Sequence, residues 1–152
     1  MSRVLSFLIL LIAISGCSYT PIYSDKESNF KIDEINFEGE KFINEIIKNS
    51  LETQAKGDKK YNIYFKTIKN RQIVSSDIQG DPKIFKIKII LEYKLYHNDN
   101  KISEDKIVKQ TSYNSIDDKY ELSQYENNIL KNLSKIISDE ILFSIKLLEN
   151  DN

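Results

Sequence analysis

The chain has 152 residues, 40% hydrophobic and 30% charged, which fits one globular domain. Its formal net charge of −1 is nearly neutral and gives no electrostatic case for nucleic acid as a partner. A single cysteine excludes an internal disulfide, and with a single histidine it also excludes a structural zinc cluster built from these residue types.

The first segment has the pattern of a bacterial export signal. Arg3 forms a short basic region, and residues 4–14 form an apolar run that is too short to span a bilayer. The sequence that follows, Ile-Ser-Gly-Cys at 14–17, resembles a lipoprotein lipobox. We therefore predict a lipoprotein signal peptide at 1–16; the alternative is an ordinary secretory signal with an incidental cysteine.

The lipobox reading makes Cys17 the lipid attachment site and the new N-terminus. Two or three acyl chains on this residue give stable membrane anchoring, whereas one chain binds only marginally. In lipoproteins of diderm bacteria, aspartate after the cysteine usually marks inner-membrane retention, so Ser18 implies sorting to the outer membrane. Residues 17–29 are predicted to be a lipidated, extended tether.

Four extended segments follow from alternating apolar residues: 30–37, 60–73, 82–96 and 101–113. The third is the most regular, with one apolar set of alternate residues and one largely basic set. A His-Asn-Asp-Asn turn joins it to the fourth, whose polar stretch at 103–105 indicates a bulge or a wider turn. The apolar side of this sheet requires a cover.

Two helices with apolar stripes are predicted to supply that cover, at 41–56 and about 120–148. Gly57 lies where a left-handed C-terminal cap would end the first helix. For the second helix, the spacing Ser123-x-x-Glu126 fits a capping box, although Asp117 and Asp118 could start the helix earlier.

The predicted order is therefore β-α-β-β-β-α. It indicates an α+β fold, a two-layer sandwich in which two helices lie on one face of a four-stranded sheet. The single domain spans 30–148, and residues 149–152 form a short tail.

Residues with catalytic potential are few, and we predict that the protein is not an enzyme. His97 lies in a polar turn, and the adjacent Asp117 and Asp118 are expected at a helix start or in a loop. No glycine-rich phosphate loop or metal-ligand spacing is present in the sequence, so no cofactor or metal is predicted.

Lysines are the most prominent residues of the second and third strands. On an exposed sheet face they can simply prevent aggregation. They can also act as point-charge partners for phosphate groups. The candidate residues for binding anions, such as the phosphates of lipid headgroups, are Lys66, Lys86, Lys88 and Lys94.

Several short motifs occur along the chain. The first is the lipobox followed by Tyr-Thr-Pro-Ile-Tyr at 19–23, and the second is Leu-Glu-Tyr-Lys-Leu-Tyr at 91–96. The others are Ser-Tyr-Asn at 112–114, Ser-Gln-Tyr-Glu at 123–126 and the apolar stretch 133–141. Together these motifs resemble the LPS-assembly lipoprotein family, LptE. The resemblance spans most of the chain after the signal, but the charged, Asn-rich stretches depart from the family pattern.

The resemblance implies an outer-membrane lipoprotein, lipid-anchored on the periplasmic side, that plugs the β-barrel LptD. It would assist the assembly of LptD and the transport of lipopolysaccharide to the cell surface, with a basic face meeting lipopolysaccharide phosphates. One alternative is an auxiliary lipoprotein of an ABC-type lipid transporter. Another is a periplasmic lipid-binding or hydrolytic lipoprotein, which a pocket between the sheet and the helices would favour.

Overall fold

The computed structural model describes residues 29–150, with side chains described to residue 149. The predicted signal peptide, Cys17 and almost all of the predicted tether lie outside these residues, as does the end of the tail. The elements, in chain order, are β1 (Phe30–Gly39), α1 (Lys41–Gln54), β2 (Lys59–Ser76), β3 (Pro82–His97), β4 (Asn100–Asn114) and α2 (Lys119–Asn150). The predicted α+β class and element order are confirmed.

The four strands form one sheet in the order β1-β2-β3-β4. The β1–β2 pair is parallel because α1 carries the chain back across the sheet between them. The β2–β3 and β3–β4 pairs are antiparallel hairpins. β3 is therefore a central strand with long partners on both sides.

One face of β3 carries the core of the domain. Its alternate apolar side chains are almost completely buried, and burial of each stabilises the fold by about 1.5–3 kcal/mol. They are Phe85, Ile87, Ile89, Leu91, Tyr93 and Leu95. Both helices pack on this side, as predicted from the alternation.

Each helix contributes one apolar stripe to that core. The stripe of α1 contains Ile43, Ile47 and Leu51, at four-residue steps. The buried apolar residues of α2 are Leu130, Leu133, Ile137, Ile141, Leu142 and Ile145. At 1.5 Å per residue the 32 residues of α2 span about 48 Å, enough to cross the whole sheet. Among the described residues, no helix combines the length and apolarity needed to span a membrane.

The predicted role of Gly57 as a helix cap is wrong. α1 ends at Gln54, and Ala55 is its C-cap. Gly57 instead donates its backbone N–H to the carbonyl oxygen of Phe30 at 2.7 Å. A Cβ atom at this position would lie 2.0 Å from the carbonyl carbon of Asn29, so glycine is needed because two backbone segments meet there.

The predicted capping box of α2 is also wrong, and the alternative start at an aspartate is confirmed. The Asp118 carboxylate accepts hydrogen bonds from the backbone N–H groups of Tyr120 (2.8 Å) and Glu121 (2.9 Å). An aspartate at the N-cap satisfies donors that have no partner within the helix. Ser123 and Glu126 therefore lie inside the helix.

The strands of the two hairpins differ from the sequence prediction in two places. β2 continues to Ser76 because β3 supplies pairing partners up to that point. The stretch 103–105 belongs to a continuous strand, and the register shift lies next to it, at Ile102. The turn between β3 and β4 contains Asn98 and Asp99 with φ of 49° and 62°, as expected for a two-residue hairpin turn.

A buried polar network fixes the corner between β1 and α1. The Thr67 hydroxyl donates to the Asn44 side-chain oxygen at 2.6 Å and accepts from the Glu40 backbone N–H at 3.1 Å. The Asn44 side-chain amide donates to the Glu38 carbonyl oxygen at 3.1 Å. Gly39, with φ of 99°, turns the chain directly against β2 in the middle of this network.

Gly39→Ala is expected to destabilise the domain by several kcal/mol. An added Cβ would meet the Thr67 carbonyl oxygen at 2.0 Å, and a side chain at positive φ adds about 1–2 kcal/mol of strain. Gly80→Ala is the matched control, because Gly80 has a φ of 92° but a Cβ added there would have no neighbouring atom within 4 Å. Urea unfolding should show a clearly larger loss for Gly39→Ala; equal losses would contradict the steric argument.

Candidate functional site

The candidate site is the face of the sheet opposite the helices, which we call the open face. Its side chains come from the alternate residues of β2, β3 and β4 that point away from the core. The register places them in cross-strand rows. These rows are Tyr64–Lys94–Glu104, Lys66–Glu92–Lys106, Ile68–Ile90–Val108, Asn70–Lys88–Gln110 and Gln72–Lys86–Ser112.

All four predicted lysines lie on the open face, but two of them are close to carboxylates. The Lys66 ammonium lies 4.0 Å from Glu38, and the Lys94 ammonium lies 3.8 Å from Glu104. The end of the open face next to the His97 turn is therefore a lattice of alternating charges. Its positive groups are largely balanced and have little net attraction for an anion.

Two carboxyl groups in this lattice show the effect of their lysine partners. The Glu92 carboxylate accepts a hydrogen bond from the Lys106 ammonium at 2.9 Å, which lowers the pKa of Glu92 below its ordinary value. The Lys101 ammonium similarly donates to Glu104 at 2.6 Å and lowers its pKa. These carboxylates stay ionised and continue to balance the lysines at mildly acidic pH.

Lys86 and Lys88 have a different environment. Their cross-strand neighbours are amides and a hydroxyl, supplied by Asn70, Gln72, Gln110 and Ser112. Within the described part of the chain, no carboxylate forms an ion pair with either ammonium. We call these two residues the lysine pair; it has unbalanced positive charge among neutral hydrogen-bonding groups.

An apolar row separates the lysine pair from the charge lattice. Ile68 and Val108 are 44% and 45% exposed, and Ile90 lies half-buried between them. The three side chains adjoin across neighbouring strands, so they form one continuous apolar strip. The open face therefore offers an apolar strip beside two unbalanced cations, which suits an amphipathic anion.

The motifs at 112–114 and 123–126 meet in space on the other face of the sheet. The Tyr113 hydroxyl donates to the Glu126 carboxylate at 2.7 Å, and the same carboxylate oxygen accepts from Arg71 at 2.9 Å. The Arg71 guanidinium lies 3.8 Å from the Phe85 ring centre, and the ring centres of Tyr113 and Tyr125 are 5.9 Å apart. This cluster joins the first turns of α2 to the end of the β2–β3 hairpin that is near its connecting turn.

The other polar residues singled out from the sequence lie in the β3–β4 turn and at the start of α2. His97 places its Nδ1 2.8 Å from the carbonyl oxygen of Lys60 and its ring against Tyr61. Asp118 caps α2, and Asp117 is exposed beside it. The residues described by the structure contain no group of three or more histidine, cysteine or acidic side chains arranged to hold a metal ion.

The sequence alone does not separate the lysine pair from Lys66 and Lys94. All four lysines occupy positions of β2 or β3 that the alternation directs away from the core. Only the cross-strand register shows which of them have acidic neighbours. The apolar row was also missed, because its three residues come from three different strands.

No protein-family model matches the chain, and no curated protein matches it by sequence. Solved structures do share its fold. Rare lipoprotein B from Shewanella oneidensis superposes with a TM-score of 0.61 at 12% identity, covering 78% of this chain and 98% of that one. A minor lipoprotein from Acinetobacter baumannii gives 0.60 at 13% identity, with coverage of 80% and 93%.

A third structure, uncharacterized lipoprotein B from Nitrosomonas europaea, gives a TM-score of 0.62 at 14% identity, covering 81% of this chain and 86% of that one. At such low identities these likenesses show the fold. The chain thus has a fold found in bacterial lipoproteins and spans nearly the full length of those structures.

Tyr113→Phe is expected to flatten the stability loss at alkaline pH. Burial and the hydrogen bond to Glu126 raise the pKa of Tyr113 to about 12. An unfolded tyrosine ionises near pH 10, so between about pH 10 and 12 the unfolded state loses a proton that the folded state keeps, and stability falls. Removal of the ionisable hydroxyl should make the free energy of unfolding fall less steeply with pH, as measured by urea unfolding at a series of pH values.

Tyr120→Phe, at a position 73% exposed, is the control for loss of a phenol outside the cluster. Equal slopes for the wild-type chain and Tyr113→Phe would show that the Tyr113–Glu126 contact does not control this titration.

Proposed function

We propose that this chain is an outer-membrane lipoprotein of the LptE type, anchored through Cys17. In this role it plugs the barrel LptD, assists LptD assembly and helps to pass lipopolysaccharide to the cell surface. The observation that carries the proposal is the fold shared with rare lipoprotein B over 98% of that chain. Rare lipoprotein B is a name of the LptE family, the family that the short sequence motifs resemble.

The open face supports a contact with lipopolysaccharide. Lipopolysaccharide combines phosphate groups with acyl chains, and this face sets the lysine pair beside the apolar row. Ammonium groups can pair with phosphate oxygens, while Ile68, Ile90 and Val108 can contact hydrocarbon. Because the surrounding residues Asn70 and Gln110 are neutral, an incoming phosphate does not have to displace a carboxylate.

The packing on the helix side of the sheet also supports a rigid domain that could act as a plug. The layer between the sheet and the helices is packed with core side chains such as Ile89, Leu91 and Ile137, all fully buried. Because these side chains fill the space between the sheet and the helices, they do not support the alternative of a lipid bound there. Recognition is therefore assigned to the surface, and no covalent chemistry is required.

The double variant Lys86→Glu/Lys88→Glu is expected to bind lipopolysaccharide at least about tenfold more weakly. One exposed charge contact is worth on the order of 1 kcal/mol, and the reversal turns two attractions into repulsions. Binding of fluorescent lipopolysaccharide to the purified chain should be measured at low and high salt, because screening reduces the difference. Circular dichroism checks the fold.

The matched control is Lys66→Gln/Lys94→Gln, which removes two lysines of the same face that already lie close to carboxylates. It should change the affinity only slightly. Unchanged binding by the Lys86→Glu/Lys88→Glu variant would make the lysine pair an ordinary solvated surface.

The partner is tested by pull-down from outer membranes with a C-terminal tag and identification by mass spectrometry. A stoichiometric LptD-like barrel is the expected result. Cys17→Ser should abolish labelling with radioactive palmitate and move the chain out of the membrane fraction, which tests the anchor separately. Co-purification with an inner-membrane ABC complex, or recovery of no partner, would overturn the proposed partner.

A further inference from the structure

The lysine pair and the apolar row adjoin on the open face. Lys88 and Ile90 are successive residues on the same side of β3, about 7 Å apart. The three members of the apolar row lie on neighbouring strands, so the row runs across the sheet at right angles to β3. A charged group and a hydrocarbon chain that are joined to each other can therefore occupy both surfaces at once.

The apolar row is one residue wide. The rows that flank it are Lys66–Glu92–Lys106 on one side and Asn70–Lys88–Gln110 on the other. A single hydrocarbon chain fits along the row, whereas a second chain beside it would cover charged or amide groups, which is unfavourable. Both ends of the row are open, because β1 stops pairing with β2 at Thr67 and β4 is the outermost strand of the described sheet.

The two sides of the apolar row differ in charge. On one side, the Lys106 ammonium donates to the Glu92 carboxylate at 2.9 Å, so an anion would meet a negative group beside a cation that is already paired. On the other side, Lys86 and Lys88 lie among neutral side chains whose amide groups can donate hydrogen bonds to phosphate oxygens. A phosphate next to the row is therefore attracted to one side only.

We propose that the smallest ligand recognised by the open face is a phosphate group with one hydrocarbon chain attached to it. The phosphate lies on the lysine pair, the chain lies along Ile68, Ile90 and Val108, and no sugar is required. This inference rests on the contact with lipopolysaccharide proposed above. It names the part of that molecule that is recognised, which is the junction between a phosphate and one acyl chain.

The two surfaces are expected to act together. Exposed charge contacts are weak and screened by salt, and each side chain of the apolar row is less than half exposed. When both contacts are made by one molecule, the second contact forms at a high effective concentration once the first has formed. A phosphate joined to a chain should therefore bind much more tightly than either part alone.

The first test compares three probes by isothermal titration calorimetry, each below its micelle-forming concentration. They are dodecyl phosphate, dodecyl maltoside and inorganic phosphate. The chain from Ser18 onward is used, because it contains every described strand and helix and carries no acyl group of its own. Dodecyl phosphate is expected to bind at least about tenfold more tightly than the other two probes. Equal binding of dodecyl phosphate and either of the others overturns the proposal.

Two double variants assign the phosphate to the lysine pair. Lys86→Gln/Lys88→Gln should weaken the binding of dodecyl phosphate at least about tenfold, because it removes both unbalanced charges. The matched control is Lys66→Gln/Lys94→Gln, whose lysines already lie close to carboxylates, and it should change the affinity less than about threefold. Equal losses in the two variants would contradict a phosphate seated on the lysine pair.

A measurement on the wild-type chain locates the hydrocarbon without any substitution. The methyl NMR signals of Ile68, Ile90 and Val108 should shift on addition of dodecyl phosphate and stay in place on addition of inorganic phosphate. Ile78 is the control, because it is 101% exposed in the β2–β3 turn, outside the apolar row. A shift at Ile78 without shifts in the row would place the chain elsewhere and overturn the proposal.

Lipopolysaccharide is titrated against the same chain, so that this inference and the proposed function can fail separately. Binding of lipopolysaccharide without binding of dodecyl phosphate would overturn the inference and leave the proposed function in place. Binding of dodecyl phosphate at the lysine pair and the apolar row, without binding of lipopolysaccharide, would support the inference and overturn the proposed contact with lipopolysaccharide.

Discussion

The strict alternation along β3 is the constraint on which the rest of the structure depends. A strand with both neighbours in place must send successive side chains to opposite faces, so six large apolar residues on one side require two helices above them. The same geometry prevents the other side from being covered by those helices. One sequence rule thus produces both the core that stabilises the domain and the open face that is available for binding.

The open face is organised by the pairing of strands more than by its composition. Lys66 and Lys94 are placed near Glu38 and Glu104, whereas Lys86 and Lys88 are placed among amides. Residues of the same type on the same surface therefore differ in their capacity to attract an anion. A nearly neutral net charge conceals this local asymmetry, because the balanced and unbalanced lysines are four to eight residues apart along the strands, or about 14–27 Å.

The layer architecture was predictable from the sequence because it depends on short-range periodicity. The alternation in β3 and the apolar stripes of both helices can be read from the sequence without knowledge of distant contacts. Details that depend on distant segments were not predictable. Gly57 looked like a helix cap, but its role is set by the backbone at Asn29. Glu126 looked like a capping residue, but Arg71 and Tyr113 hold it. The sequence identified the four candidate lysines, but only the strand register showed which of them have acidic neighbours.

The parallel pairing of β1 with β2 has a consequence for the order of folding. β2, β3 and β4 can assemble through two hairpins, each closed by a short turn, whereas β1 can join only after α1 has crossed the sheet. Short-range contacts form faster than long-range ones, so the hairpins are expected to lead and β1 to arrive late. The first strand in the sequence would then be the last to join the sheet.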